Sequence, residues 1–212
     1  MKKEIVFLFL ICSFFISPAQ KFSIAADKTN IFYLGVPNPL TIAVENYSCN
    51  AITVKTNNGK VSGRSGSFIY EATSAGITDI ILFRRIKGHL KEIGRSTFRI
   101  KNIPDPIAKV GPSAGGNISK VVLRNQQYIR AELENFDFQL VFPIDSFTVC
   151  IIRGDTCLYK EINNSGNKFE QGLTTALNEI KKGDTVIFKK IFAHYPDRSQ
   201  TVLNPILLFI TD

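Results

Sequence analysis

Residues 78–100 read TDIILFRRIKGHLKEIGRSTFRI, and this stretch decides the fold. β-Branched and aromatic residues dominate Thr78–Ile86 and Ser96–Ile100, which predicts a β-strand for each run. Lys87-Gly88-His89 lies between the two runs and carries the glycine of a turn. We therefore predict two strands that a tight hairpin tip joins.

The same pattern continues on the N-terminal side of this hairpin. Four more short runs predict strands: Phe22–Ala26, Leu40–Val44, Ala51–Lys55 and Ser67–Ala72. Six or seven short strands within about 80 residues are typical of an immunoglobulin-like β-sandwich. The chain has no tryptophan, so the signature of antibody domains is missing.

A proline-rich joint interrupts the strand pattern at Ile103-Pro104-Asp105-Pro106. Two prolines so close together are excluded from a central strand, and they hold the chain extended. We place a domain boundary here. The prediction is a first β-sandwich domain over residues 20–103 and a second over residues 104–212.

The second half mixes strands with two short helices. One helix is predicted over Ser119–Asn125, with Ser119 as its N-cap, and the other carries Leu173, Ala176, Leu177 and Ile180 on one face. The predicted strands are Ile129–Leu133, Phe136–Ile144, Ser146–Ile152, Thr156–Ile162, Asp184–Ala193 and Val202–Ile210. This order fits a β-sandwich with helical insertions or an α+β domain, and the chain as a whole is mainly β.

The first nineteen residues have the pattern of a cleavable signal peptide. Lys2 and Lys3 precede the apolar run Ile5–Ile16, and Ser17-Pro18-Ala19 supplies small residues for cleavage. The apolar run is shorter than the roughly 20 residues that a spanning helix needs. We therefore expect a periplasmic or secreted protein with no membrane span after cleavage.

Composition argues against several classes of active site. The chain has only two histidines, which excludes a His-rich metal centre, and its net charge is +8. His89 falls on the hairpin tip and His194 ends a strand, and neither has a nucleophile motif beside it. Glu132, Glu134 and Asp137 form a carboxylate cluster, but alternation on a half-exposed strand accounts for their spacing. We expect no catalytic residue, no metal and no cofactor.

The strongest charge feature is a basic hairpin. Seven cations face one acid, Glu92, and they are Arg84, Arg85, Lys87, Lys91, Arg95, Arg99 and Lys101. Positive charge of this kind protects an edge strand from aggregation, or it meets an acidic protein partner. Binding to a membrane surface stays open. Nucleic acid is disfavoured for an exported protein without a stacking motif.

Three cysteines remain after removal of the leader: Cys49, Cys150 and Cys157. If Arg153-Gly154 forms the turn between two strands, Cys150 and Cys157 face each other and could form a disulfide. If Gly154-Asp155 forms the turn, the two thiols separate, and we favour two unpaired thiols. Arg153-Gly154-Asp155 also spells an integrin-binding tripeptide, which a hairpin turn explains without any binding role.

Several ordered motifs together resemble the C-terminal periplasmic domains of the GldM family of gliding-motility proteins from Bacteroidetes. The motifs are Gly35–Leu40, Ile103–Pro106, Gly115–Lys120, Glu132–Phe138, Gly166–Phe169, Ile180–Asp184 and Leu203–Ile206. The resemblance implies two β-sandwich domains from the partner-binding end of the type IX secretion core. It also implies secretion-ring components as partners, and a homodimer.

The leader stands where that family has its transmembrane segment and membrane-proximal domains. The resemblance therefore implies a non-enzymatic protein-interaction module without the proton-driven motor. The alternative is a soluble module that binds carbohydrate or a cell surface, for which Tyr33, Tyr47 or Tyr195 would supply an aromatic platform.

Overall fold

The computed structural model describes residues 22–27, 30–159 and 161–212. The described chain is mainly β, with 55% strand and 9% helix, as the sequence predicts. The predicted signal peptide over residues 1–19 lies outside the described residues. None of the described helices is long and apolar enough to cross a lipid bilayer.

The N-terminal part consists of two four-stranded sheets, ordered β1-β3-β6-β5 and β2-β8-β7-β4. The strands are β1 Phe22–Ala26, β2 Ile31–Tyr33, β3 Asn38–Val44, β4 Ile52–Thr56, β5 Lys60–Arg64, β6 Ser67–Glu71, β7 Gly76–Ile86 and β8 His89–Lys101. Every neighbouring pair is antiparallel except β2 and β8. Phe32, Leu40, Tyr70, Ile80 and Leu82 are all fully buried in the core of these two sheets.

The predicted hairpin is confirmed as β7 and β8. Ile86 lies opposite His89, so Lys87 and Gly88 alone form the turn. Both have left-handed φ angles, 50° and 85°, which match the twist of the flanking strands. The longest strands of the domain thus meet at a two-residue turn.

Two strands of this half are missing from the sequence prediction. β2 has only three residues, and it pairs in parallel with β8, far along the chain. β5 reads KVSGR, with one apolar residue and a glycine, so its composition does not signal a strand. Both strands owe their existence to pairing partners rather than to local propensity.

The C-terminal part is built on a seven-stranded sheet. Its central order is β10-β17-β15-β12-β13, with β14 paired to β12 and β16 paired to β15, and β9 and β11 form a separate two-stranded sheet. The strands are β9 Ile107–Val110, β10 Gly116–Ile118, β11 Ile129–Glu132, β12 Ile144–Arg153, β13 Thr156–Cys157, β14 Ile162–Ser165, β15 Thr185–His194, β16 Gln200–Leu203 and β17 Ile206–Ile210. Its core is separate from that of the first half.

Two short helices cover this core, α1 over Lys120–Arg124 and α2 over Gln171–Asn178. The predicted N-cap is confirmed, because the Ser119 side chain accepts a hydrogen bond from the Val121 N–H. Arg124 donates from Nη2 to the Ile180 carbonyl at 2.8 Å and from Nε to the Leu177 carbonyl at 3.3 Å. A cation therefore satisfies carbonyls at the C-terminal end of α2.

The predicted strand over Phe136–Ile144 is wrong. Strand structure begins only at Ile144, and residues 133–143 are irregular. Two rings of the alternating stripe instead pack on Tyr33 of the first half, with centroid distances of 4.7 Å for Phe136 and 5.5 Å for Phe138. Farther along the stripe, Phe142 packs on Tyr195 and Ile144 enters the core of the second half.

Two other predicted strands are each divided in two. The run Thr156–Ile162 contains the two residues of β13, and β14 begins at Ile162. The run Val202–Ile210 is interrupted at Asn204-Pro205, which separates β16 from β17. Proline lacks the N–H that an uninterrupted central strand needs.

Candidate functional site

The β7–β8 register divides the seven predicted cations into groups instead of one face. Arg95 lies opposite Ile81 and Arg99 lies opposite Ile77, so both point away from the core. A β-bulge interrupts the register after Leu82, and beyond it Arg84 lies opposite Lys91 on the other face. The hairpin therefore has a stem, with Arg95 at its middle, and a separate tip.

The charge at the middle of the stem is neutralised. Arg95 donates to Asp79 at 2.8 Å and to Glu92 at 3.1 Å. A hydrogen bond from Thr97 lowers the pKa of Asp79, and Arg95 lowers it further. Glu92 lies within the basic run and is visible in the sequence, whereas the pairing of Asp79 with Arg95 depends on the cross-strand register.

The base of the stem keeps its positive charge. Among the residues that the structure describes, neither Arg99 nor Lys101 has a carboxylate partner, and both side chains are exposed. Ile77, opposite Arg99, is 67% exposed. We call Ile77, Arg99 and Lys101 the base patch. It combines an open apolar side chain with two cations that no described carboxylate neutralises.

The tip, residues 84–91, holds the remaining four cations. The Arg84 guanidinium lies 3.9 Å from the centre of the Tyr47 ring. Arg85 donates from Nη1 to the Gly88 carbonyl at 2.9 Å, across the turn. Lys87 and Lys91 are exposed and have no carboxylate partner within the described part of the chain.

The two halves contact each other close to the base patch. Tyr33, on β2 beside Lys101, holds the Phe136 and Phe138 rings. On the second half, the Tyr195 hydroxyl donates to the carboxylate of Asp105 in the joint. Burial, and then Asp105, raise the pKa of Tyr195 to about 12. Aromatic contacts and a hydrogen bond thus hold the proline-rich joint.

Family models match both halves of the chain. A model described as the GldM third domain matches residues 21–101, and one described as the GldM C-terminal domain matches residues 104–210. The chain belongs to the GldM family. The predicted resemblance is confirmed, and the two matched domains are those of a type IX secretion and gliding-motility component. No curated protein matches the chain.

The carboxylate cluster of this GldM-family chain is arranged for ion pairing. Lys109 Nζ lies 2.9 Å from Glu132 and 2.6 Å from Glu134. Arg130 also contacts Glu132, at 2.9 Å. Lys109 holds the pKa of Glu132 below its usual range, so this group stays ionised and is a poor general acid at neutral pH.

His194 has a partner that the sequence did not indicate. Its Nδ1 lies 2.9 Å from Asp145 Oδ2, across the β12–β15 pair. The described residues include no hydroxyl or thiol hydrogen-bonded to His194, and no group of three or more potential metal ligands. The GldM-family chain thus has a His–Asp pair at a strand end, and no described hydroxyl or thiol is hydrogen-bonded to its histidine.

The two cysteines of the C-terminal GldM domain lie near each other but are unbonded. The turn is Gly154-Asp155, because Arg153 lies opposite Thr156 and Cys157 lies opposite Ile152. Cys150 is buried, Cys157 is exposed, and both are free thiols in this structure. Burial, and then the Cys157 thiol, raise the pKa of Cys150 to about 11. The two unpaired thiols that we favour stay a prediction, and the disulfide is the alternative to them.

The arginine of the Arg153-Gly154-Asp155 tripeptide is engaged within the domain. Arg153 Nε and Nη2 each donate to a different oxygen of the Asp184 carboxylate, both at 2.7 Å. Asp184 is 1% exposed, and it also accepts from the Lys181 N–H at 2.7 Å. The tripeptide therefore closes a hairpin and anchors the turn after α2.

Proposed function

We propose that this chain is a non-enzymatic protein-interaction module of the type IX secretion and gliding machinery and works in the periplasm. The observation that carries the proposal is the pair of GldM-domain matches over residues 21–101 and 104–210. The aromatic contacts between Tyr33 and the rings of Phe136 and Phe138 support binding of one partner by both domains together.

The base patch is the docking surface that we assign to an acidic partner. Arg99 and Lys101 supply charge that no described neighbour neutralises, and Ile77 supplies apolar area. Charge complementarity of this kind accelerates association and selects the partner. The base patch also adjoins Tyr33, so one partner surface can contact both domains.

Affinity capture with the exported, full chain tests this proposal. We expect the wild-type chain to recover components of the type IX secretion ring, identified by mass spectrometry. In Arg99→Glu/Lys101→Glu, the rate of association with the secretion component should fall by on the order of tenfold or more, and less of that component should be captured.

The matched control is Lys168→Glu/Lys182→Glu, which reverses two exposed charges of the other domain and should leave capture unchanged. Recovery of no secretion component by the wild-type chain would refute the module. An equal loss of captured protein in the base-patch variant and in the control variant would refute the assignment of the base patch as the docking surface.

The carbohydrate-binding alternative has no specific observation in its favour. Phe136 and Phe138 pack on Tyr33, and Arg84 covers the Tyr47 ring. Tyr195 packs on Phe142 with a centroid distance of 5.9 Å. Each of the three rings thus contacts a side chain of the chain itself, and Tyr47 is 40% exposed.

A further inference from the structure

The tip of the β7–β8 hairpin extends beyond the rest of its sheet. On one side, β4 accompanies β7 only as far as Arg84, which lies opposite Ile52. On the other side, β2 pairs with β8 only over Arg99–Lys101. In the described sheets, residues 85–90 therefore have no third strand beside them, and all six residues are exposed.

The tip has four cations and no carboxylate. Its sequence is RRIKGHLK over residues 84–91. The acids that neutralise the stem, Asp79 and Glu92, bond to Arg95 instead. Arg85 is held across the turn by the Gly88 carbonyl, so its guanidinium is fixed at the end of the hairpin with donors to spare.

Two aliphatic side chains lie on opposite faces of the same tip. Ile86 pairs with His89 and Leu90 pairs with Arg85, and successive residues of a strand alternate between faces. Ile86 is 36% exposed and Leu90 is 41% exposed. A flat protein surface would cover only one of these faces. A bilayer interface surrounds a tip that enters end-on, and it can bury both.

We propose that this tip binds the surface of an anionic phospholipid bilayer. Arg85, Lys87 and Lys91 contact headgroup phosphates, while Ile86 and Leu90 enter the apolar boundary below them. Cationic side chains beside short aliphatic ones are the general pattern of interfacial membrane contacts. This inference is independent of the proposed function, because the base patch uses other residues.

A tryptophan reporter tests the contact directly, since the chain has no natural tryptophan. In Leu90→Trp we expect a blue shift of the emission on addition of phosphatidylcholine vesicles that contain phosphatidylglycerol. Vesicles of phosphatidylcholine alone should produce no shift. The control is Val121→Trp on α1, a site that is 56% exposed, which should not respond to either vesicle.

Co-sedimentation with the same vesicles separates charge from insertion. Lys87→Gln/Lys91→Gln should weaken binding by about fivefold for each lysine. Ile86→Ser/Leu90→Ser keeps every charge and should weaken binding by about tenfold or more. Lys168→Gln/Lys182→Gln is the matched control and should bind as wild type does.

Absence of wild-type binding to anionic vesicles would overturn the proposal. Unchanged binding of Ile86→Ser/Leu90→Ser would also overturn it, because the tip would then be a purely electrostatic site of the kind that an acidic protein occupies. Loss of binding in both tip variants, with their unfolding midpoints unchanged, would support insertion.

Discussion

Removal of the Arg153 charge should destabilise the C-terminal domain through a buried carboxylate. We choose Arg153→Met, which preserves much of the side-chain volume but removes both hydrogen bonds to Asp184. The Asp184 side chain is 1% exposed, so its charge would keep only the Lys181 N–H as a described partner. An ionised carboxylate in that position lacks both solvent and a counter-ion.

The expected cost follows from the burial of this pair. Loss of one partner of a buried ion pair costs about 3–5 kcal/mol. The Arg153 side chain is 37% exposed, so partial hydration places the cost near the lower end, at about 3 kcal/mol. For a domain of this size the Tm should fall by about 10–20 °C. Calorimetry of the full chain measures that shift.

The pH dependence gives a sharper test than the Tm alone. Hydrogen bonds from Arg153 hold the pKa of Asp184 below its ordinary value of 3.8. The ion pair therefore stabilises the folded state fully above that pH. Its contribution is lost as the pH falls through the lowered pKa of the folded state. In Arg153→Met burial raises the pKa of the same carboxyl. The difference in free energy of unfolding between wild type and Arg153→Met should therefore be largest at neutral pH and become smaller towards about pH 3.

Denaturant titrations at the two pH values decide the outcome. A difference in free energy of unfolding under about 1 kcal/mol at neutral pH would refute the stabilising role of the Arg153–Asp184 pair. A difference that stays the same in acid would refute it as well. Arg153→Met/Asp184→Asn is the control. It removes the stranded charge and keeps an oxygen that can accept from Lys181, so it should recover part of the lost stability.

Three further outcomes follow from the packing and the thiols. Asn38 is 1% exposed and bonds both backbone groups of Tyr33, so Asn38→Ala should cost about 2–4 kcal/mol in urea titrations, and a cost below 1 kcal/mol would contradict its role. Tyr33→Ala removes the ring that lies 4.7 Å from Phe136, so in calorimetry the unfolding temperatures of the two domains should become more different from each other. Unchanged unfolding temperatures would argue that this contact does not couple the two domains. Iodoacetamide should label exposed Cys157 far faster than buried Cys150, whose pKa is raised to about 11; equal native rates would contradict that assignment.

Local patterns predicted much of the fold because several strands, turns and helix ends are determined by residues that are close together in the sequence. The alternation of β7 and the Lys87-Gly88 turn are both short-range features, and both are present. The Ser119 cap and the apolar face of α2 are local in the same sense. Such elements need only neighbouring residues, so one sequence suffices to find them.

Features that depend on distant partners were beyond the sequence pattern. The Phe136–Ile144 stripe alternates like a strand, but its first two rings, Phe136 and Phe138, pack on Tyr33, which is about a hundred positions away. The seven cations also looked like one surface. The bulge after Leu82 and the cross-strand position of Asp79 divide them, and neither feature is visible without the register.

Site-specific photo-crosslinking in cells tests the proposed docking surface most directly. A photoreactive phenylalanine analogue replaces Ile77, which is 67% exposed in the base patch, or Val202, which is 60% exposed in the other domain. We expect an adduct between the Ile77 position and a type IX secretion component, identified by mass spectrometry, and none from the Val202 position. No such adduct at Ile77, or equal adducts at both positions, would contradict the assignment of the base patch as the docking surface.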